Sequence, residues 1–142
     1  MKVICRIDNL YEIKDAGVLS RLEEYIRYPD GEFGLVLGRE YTVYGVVFWD
    51  NAPLVYIFLD AEDDYPKPVA MDFFELTDVE LSKCWVLSYS PQGAKDSSSS
   101  LVFKEWAEDP AFYEKLVEGD EAATDVFKKY RSFMDSEGGS SR

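Results

Sequence analysis

The most conspicuous polar cluster in the sequence is an acidic run, Asp60-Ala61-Glu62-Asp63-Asp64. Four acids within five residues could bind a cation or attract a basic protein, because both are drawn to concentrated negative charge. The run lacks the ligand order and the central glycine of an EF-hand, so calcium binding is not indicated. The default interpretation of such a run is a solvated loop that leaves a strand. If the run is a functional site, it would steer a basic partner towards the protein through four carboxylates, those of Asp60, Glu62, Asp63 and Asp64.

Aromatic residues lie close to this run in the sequence. The segment Tyr65-Pro66-Lys67-Pro68 follows it directly, and its prolines favour an extended backbone. Tyr65, Trp49 and Trp85 could line a shallow groove, because aromatic rings offer large and stiff contact areas. We therefore predict Tyr65 and Trp49 as the anchoring contacts of a partner. Most of the 3 Trp, 10 Tyr and 9 Phe residues must nevertheless belong to the core.

Several classes of chemistry are excluded. The sequence contains no histidine, so Ser-His-Asp and Cys-His catalysis and imidazole metal sites are absent. It has no Walker A or dinucleotide-binding glycine motif. Cys5 and Cys84 lie in apolar contexts without CxxC spacing, which is typical of buried thiols in a reducing cytosol. We predict no catalytic residues, no metal and no cofactor.

Charge narrows the class of partner. The 28 acidic and 15 basic residues give a net charge of −13, and residues 41–90 hold nine acids against two bases. Such a surface repels phosphate backbones and anionic lipids, so we expect neither a nucleic-acid partner nor membrane binding. No apolar run is long enough to cross a membrane, and the first residues lack a secretion signal. A cytoplasmic protein is expected, and part of the charge would serve solubility alone.

The spacing of apolar residues along the chain predicts the strands and helices that would position these side chains. With 142 residues, the chain suits one α+β domain over 1–136, followed by a flexible Gly/Ser-rich tail at 137–142. Runs rich in aromatic and β-branched residues predict a bent antiparallel sheet or an SH3-like barrel over about 33–90. Its predicted strands are 41–48 and 54–59, joined as a hairpin, with shorter strands at 73–76 and 83–87 and an initial strand Val3–Ile7. Helical spacing predicts helices at 16–28, 104–118 and 120–135. Residues 90–100 are predicted to form a mobile linker.

Three segments resemble a known set of motifs, in the same order. Residues 38–45 resemble GKxYxVYG, residues 74–85 resemble FEIxDxRLSxYW, and residues 105–116, running on to 127–130, resemble EWxxDPxFYxxL followed by FKKY. The chain departs from the second motif at Glu80 and Cys84. In these motifs it resembles a family of small, uncharacterised bacterial proteins similar to immunity-like proteins encoded beside polymorphic toxins. The resemblance implies a bacterial source and a compact fold, and it transfers no functional residues.

These observations favour a non-catalytic protein-binding module, such as an immunity-type inhibitor of a basic toxin. One alternative is a small-ligand module whose sheet and C-terminal helices enclose an aromatic pocket. Another is an enzyme that uses carboxylates alone, for which Glu75, Asp78 and Glu105 are candidates. Exposed strand edges and aromatics could also pair two copies, so we expect a monomer or a weak homodimer.

Overall fold

The computed structural model describes residues 1–23, 34–49, 52–90 and 98–140. Within them the chain has the predicted α+β class, with four α-helices and eight strands in two antiparallel sheets. The strands are β1 Lys2–Cys5, β2 Glu40–Thr42, β3 Gly45–Trp49, β4 Ala52–Ile57, β5 Lys67–Ala70, β6 Phe74–Asp78, β7 Trp85–Ser90 and β8 Ser98–Phe103. The helices are α1 Ala16–Glu23, α2 Lys104–Glu108, α3 Phe112–Val117 and α4 Glu121–Ser140. Apolar side chains from both sheets and all four helices join one buried cluster.

The predicted strand 41–48 is divided between the two sheets. β2 belongs to a three-stranded sheet of order β2-β1-β6, and β3 belongs to a five-stranded sheet of order β5-β4-β3-β8-β7. The switch occurs at two buried residues: the Val43 amide donates to the Met1 carbonyl at 3.0 Å, and the Tyr44 amide donates to the Tyr56 carbonyl at 2.9 Å. Successive amides therefore bond to different sheets. No ladder among the described strands closes either sheet, so the SH3-like barrel is not confirmed.

The predicted hairpin of 41–48 and 54–59 is confirmed in its β3 and β4 part, where Val47 pairs with Leu54. The prediction of a mobile linker over 90–100 is wrong at both ends, because Ser90 is the last residue of β7 and pairs with Ser98 of β8. Ser98, Ser99 and Ser100 begin β8, which lies between β3 and β7 and pairs with both. Backbone pairing on both sides outweighs the low strand propensity of serine. Residues 91–97 lie outside the described part.

The predicted helix 104–118 is interrupted. Pro110 disfavours a helical conformation for the residue before it, and Asp109 is extended, with φ −119° and ψ 105°. The Asp109 carboxylate then accepts from the Ala111 amide at 2.9 Å, and α3 begins at the next residue. The sequence thus forms two short helices, α2 and α3, where the spacing alone predicted one.

The first and last helices also differ from their predicted ranges. α1 begins at Ala16 as predicted, with the Asp15 carboxylate accepting from the Gly17 and Val18 amides, and residues 24–28 lie outside the described part. α4 continues beyond 135 to Ser140. Near its end, Glu137 accepts from the Ser82 hydroxyl at 2.7 Å and the Lys83 amide at 2.8 Å. These two bonds attach the last turns of the helix to the segment before β7.

Candidate partner-binding site

The acidic run forms a tight turn between β4 and β5. The Asp60 carbonyl accepts from the Asp63 amide at 3.1 Å. One Asp60 carboxylate oxygen accepts from the Glu62 amide at 3.0 Å, and an Asp63 carboxylate oxygen accepts from the Asp60 amide at 3.2 Å. Aspartate side chains commonly fold the backbone in this way at turns. The turn is therefore held in shape by its own acids.

The negative charge of this turn faces solvent. Asp60, Glu62 and Asp64 are exposed and Asp63 is half-buried. None of the ion pairs found between described residues involves these four carboxylates. Among the same residues, no group of three or more acids and cysteines is placed to hold a metal ion. The arrangement can attract a cationic surface, whereas chelation of a single ion has no support here.

Tyr65 attaches the turn to the helices. Its ring meets the Tyr113 ring edge-on, with centroids 6.2 Å apart, and it is half-buried. The next residue, Pro66, is buried, and its carbonyl accepts from the Tyr113 hydroxyl at 2.7 Å. Tyr65 thus has a packing role, and only part of its ring is available to a partner.

The other predicted anchor lies at the opposite end of the β3–β4 hairpin. Trp49 pairs with Ala52 at the start of β4, whereas the acidic turn follows Ile57 at the end of that strand. Five residue steps separate the two sites by about 17 Å along the strand. The side chain of Trp49 lies outside the described part. Trp85 is buried. The structure therefore does not bring Trp49, Tyr65 and Trp85 into one groove.

The aromatic residues gather in a packed centre around Phe103. Its ring stacks on Tyr130 with centroids 4.2 Å apart and lies 5.3 Å from Phe112, 5.6 Å from Trp106 and 6.1 Å from Phe127. Because these rings pack on one another, they do not form the walls of an aromatic pocket. Sequence periodicity found the helical members of this centre but did not show that the last residue of β8 lies at its middle.

Each candidate acid of an enzyme has a structural partner. Glu105 accepts from the Tyr130 hydroxyl at 2.7 Å, and this bond is the main reason that the pKa of Tyr130 rises to about 12. Glu75 lies 3.3 Å from the exposed Arg6 guanidinium, and Asp78 lies 3.8 Å from the amino terminus. No hydrogen bond joins any two of these three carboxyl groups.

A groove that the sequence did not reveal lies between α4 and the residue before β7. It has a volume of about 440 Å³ and is lined by Cys84, Lys129, Tyr130, Ser132, Phe133 and Ser136. Burial raises the pKa of the Cys84 thiol, which also lies 3.0 Å from the Ser82 hydroxyl. The thiol is therefore a poor nucleophile near neutral pH. This open groove, and not the packed aromatic centre, is a candidate location for a small-ligand function.

Comparisons of the chain with protein-family models, curated proteins and solved structures gave no match. The resemblance to immunity-like proteins stays a prediction from three motifs. No helix in the described part combines the length and apolar character needed to cross a membrane.

Proposed function

We propose that the protein is a non-catalytic binding module that captures a basic protein through the acidic turn, Asp60–Asp64. The specific form suggested by the motifs is a bacterial, cytoplasmic, immunity-type inhibitor of a basic toxin. One observation carries the proposal: four carboxylates are held on a closed turn and have no cationic partner among the described residues.

The shape of the turn supports binding because it is already fixed. The hydrogen bonds of Asp60 and Asp63 define the backbone, and the Tyr113 hydroxyl bond to Pro66 anchors the following segment to α3. A preformed surface loses less conformational entropy when a partner binds than a mobile loop would. The charges of Glu62 and Asp64 are directed outwards from this rigid base.

The charge supports capture at a distance. A protein of net charge −13 attracts basic proteins, and a local cluster orients them as they approach. Electrostatic steering of this kind raises association rates about 10- to 1,000-fold at low salt. It weakens as salt shortens the screening length to about 8 Å at physiological ionic strength. The proposal therefore predicts a partner that is bound at low salt and released at high salt.

The test uses a variant that removes charge and keeps shape: Asp60→Asn, Glu62→Gln, Asp63→Asn and Asp64→Asn. Asparagine retains the carbonyl oxygen that closes the turn. Tagged wild type and variant are incubated with bacterial extract at low and high salt, and retained proteins are quantified by mass spectrometry. We expect wild type to retain a stoichiometric basic protein at low salt. The variant should retain it at least tenfold less, and association with that protein should slow and lose most of its salt dependence.

A matched control removes the same charge elsewhere, through Glu12→Gln, Glu23→Gln, Glu80→Gln and Asp125→Asn, all exposed. This control should retain the partner almost as well as wild type. Equal loss in both variants would mean that net charge alone attracts the partner and would contradict the assignment to the turn. Retention of the same protein by the turn variant, or of no protein by wild type at low salt, would overturn the proposal.

A further inference from the structure

The described sheets have four edges, and one of them carries neither a charged side chain nor a proline. Edge strands are usually protected by charged side chains or proline. β2 carries Glu40, β6 carries Glu75 and Asp78, and β5 carries Lys67 and Pro68. The fourth edge, β7, has the sequence Trp-Val-Leu-Ser-Tyr-Ser, with neither charge nor proline. Its outer side has no ladder partner in the described part of the chain.

Exposed apolar side chains continue from this edge onto one face of the sheet. Leu87 is 71% exposed and Tyr89 is 65% exposed, and both lie on the same face because they are two residues apart. Tyr89 pairs with Ser99, and Ser99 pairs with Phe48, which is also exposed. Because the small side chain of Ser99 lies between them, the rings of Tyr89 and Phe48 are left uncovered. We call Phe48, Leu87 and Tyr89 the apolar edge patch.

We propose that β7 pairs antiparallel with β7 of a second copy of the chain about a twofold axis, joining the two five-stranded sheets. Charge identifies the occupant. The strands β3, β8 and β7 contain no charged residue, although the chain has a net charge of −13. Two such chains repel each other least where the surfaces that meet carry no charge, whereas a basic partner would be attracted to the acidic turn. An antiparallel strand pair is also self-complementary, as a twofold contact requires.

The geometry limits the register of this pair. Residues opposite each other in an antiparallel ladder lie on the same face, so the twofold axis must lie midway between the two copies of one β7 residue. An axis at Ser88 places Leu87 of each copy opposite Tyr89 of the other, which covers both exposed side chains. A six-residue strand gives a ladder of only about 20 Å. The interface is therefore small, and we expect a reversible dimer that forms at high protein concentration.

The first test is sedimentation equilibrium over a range of concentrations. Wild type should rise from 16.3 kDa towards twice that mass, and the rise should be stronger at high salt because salt screens the repulsion between the copies. In the variant Leu87→Lys with Tyr89→Lys, the concentration at which half of the chains are dimeric should be at least tenfold higher than in wild type. The control Val79→Lys with Leu37→Lys makes the same charge change at exposed apolar residues outside β7 and should dimerise like wild type. Circular dichroism checks that both variants are folded.

Amide hydrogen exchange locates the contact. Alternate amides of β7 point away from β8, and these should become protected as the concentration rises. A wild type that is monomeric at every concentration would overturn the proposal, and so would a dimer that the two lysines leave intact. Protection of the β7 amides only when a different protein is added would assign the edge to a foreign strand and would also overturn it. If the β7 pairing fails these tests, the acidic-turn proposal is unaffected. Binding of a basic protein to the acidic turn weakens with salt, whereas pairing of two copies at β7 strengthens with salt.

Discussion

Replacing Phe103 with alanine should destabilise the whole domain. Phe103 is 0% exposed and its ring contacts aromatic rings from α2, α3 and α4. Phe→Ala changes in cores typically lower the free energy of unfolding by about 3–5 kcal/mol. We expect a value in the upper half of this range, because rings held by three helices cannot all move to fill the cavity. Against a total stability of about 5–15 kcal/mol, this is a large loss.

The measurement is urea denaturation followed by far-ultraviolet circular dichroism, with Phe133→Ala as the matched control. Phe133 lies on α4 and is 48% exposed, so the same change there should cost about 1 kcal/mol. If Phe103→Ala is already unfolded without urea, Phe103→Leu gives a smaller step in the same direction. Equal losses at Phe103 and Phe133 would refute the conclusion that the end of β8 organises the helices.

Two further predictions concern pH and the acidic turn. Burial raises the pKa of Tyr56 from 10 to about 12, so the folded protein keeps a proton that the unfolded chain loses. The stability this gives is complete below pH 10 and is lost as pH rises to 12, by at most about 2.7 kcal/mol for Tyr56. Because the pKa values of Tyr44, Tyr113 and Tyr130 are also raised, Tyr56→Phe should make the fall of the urea midpoint with pH shallower without abolishing it. At pH 7, Asp60→Ala with Asp63→Ala should lower the free energy of unfolding by about 1 kcal/mol per lost bond, and the paired asparagine variant should not. Equal stability of the alanine and asparagine variants would show that these side chains do not hold the turn.

The local elements of the fold could largely be predicted from the sequence. The β3–β4 hairpin and the helical face of Phe127 and Met134 follow from periodicity, which depends on neighbouring residues. The division of residues 41–48 could not be predicted, because it depends on which distant carbonyl each of two adjacent amides meets. The strand at Ser98–Ser100 was missed for the same reason. Its stability comes from β3 and β7 on either side, and serine itself gives no strand signal.

The sequence predicts which residues make up the candidate site, but it does not predict their contacts in three dimensions. The acidic run is plain in the sequence, and its exposure follows from its charge. Asp60 and Asp63 close the turn through bonds between near neighbours in the sequence, whereas the contact of Tyr65 with Tyr113 depends on the placement of α3. The separation of Trp49 from Tyr65 follows from the direction of β4. These facts need the three-dimensional arrangement, since residues close in sequence lie at opposite ends of one hairpin.

The strand order also explains how one small acidic chain can have two binding surfaces of opposite character. The acidic turn leaves β4, and the uncharged edge is β7, three strands away in the order β4-β3-β8-β7. At about 4.8 Å per strand, the lateral separation is about 14 Å. This exceeds the screening length of about 8 Å at physiological ionic strength, so the carboxylates of the turn oppose pairing at β7 only weakly. A pair of chains would then present two acidic turns on the outer sides of a joined sheet, each still free to meet a basic partner.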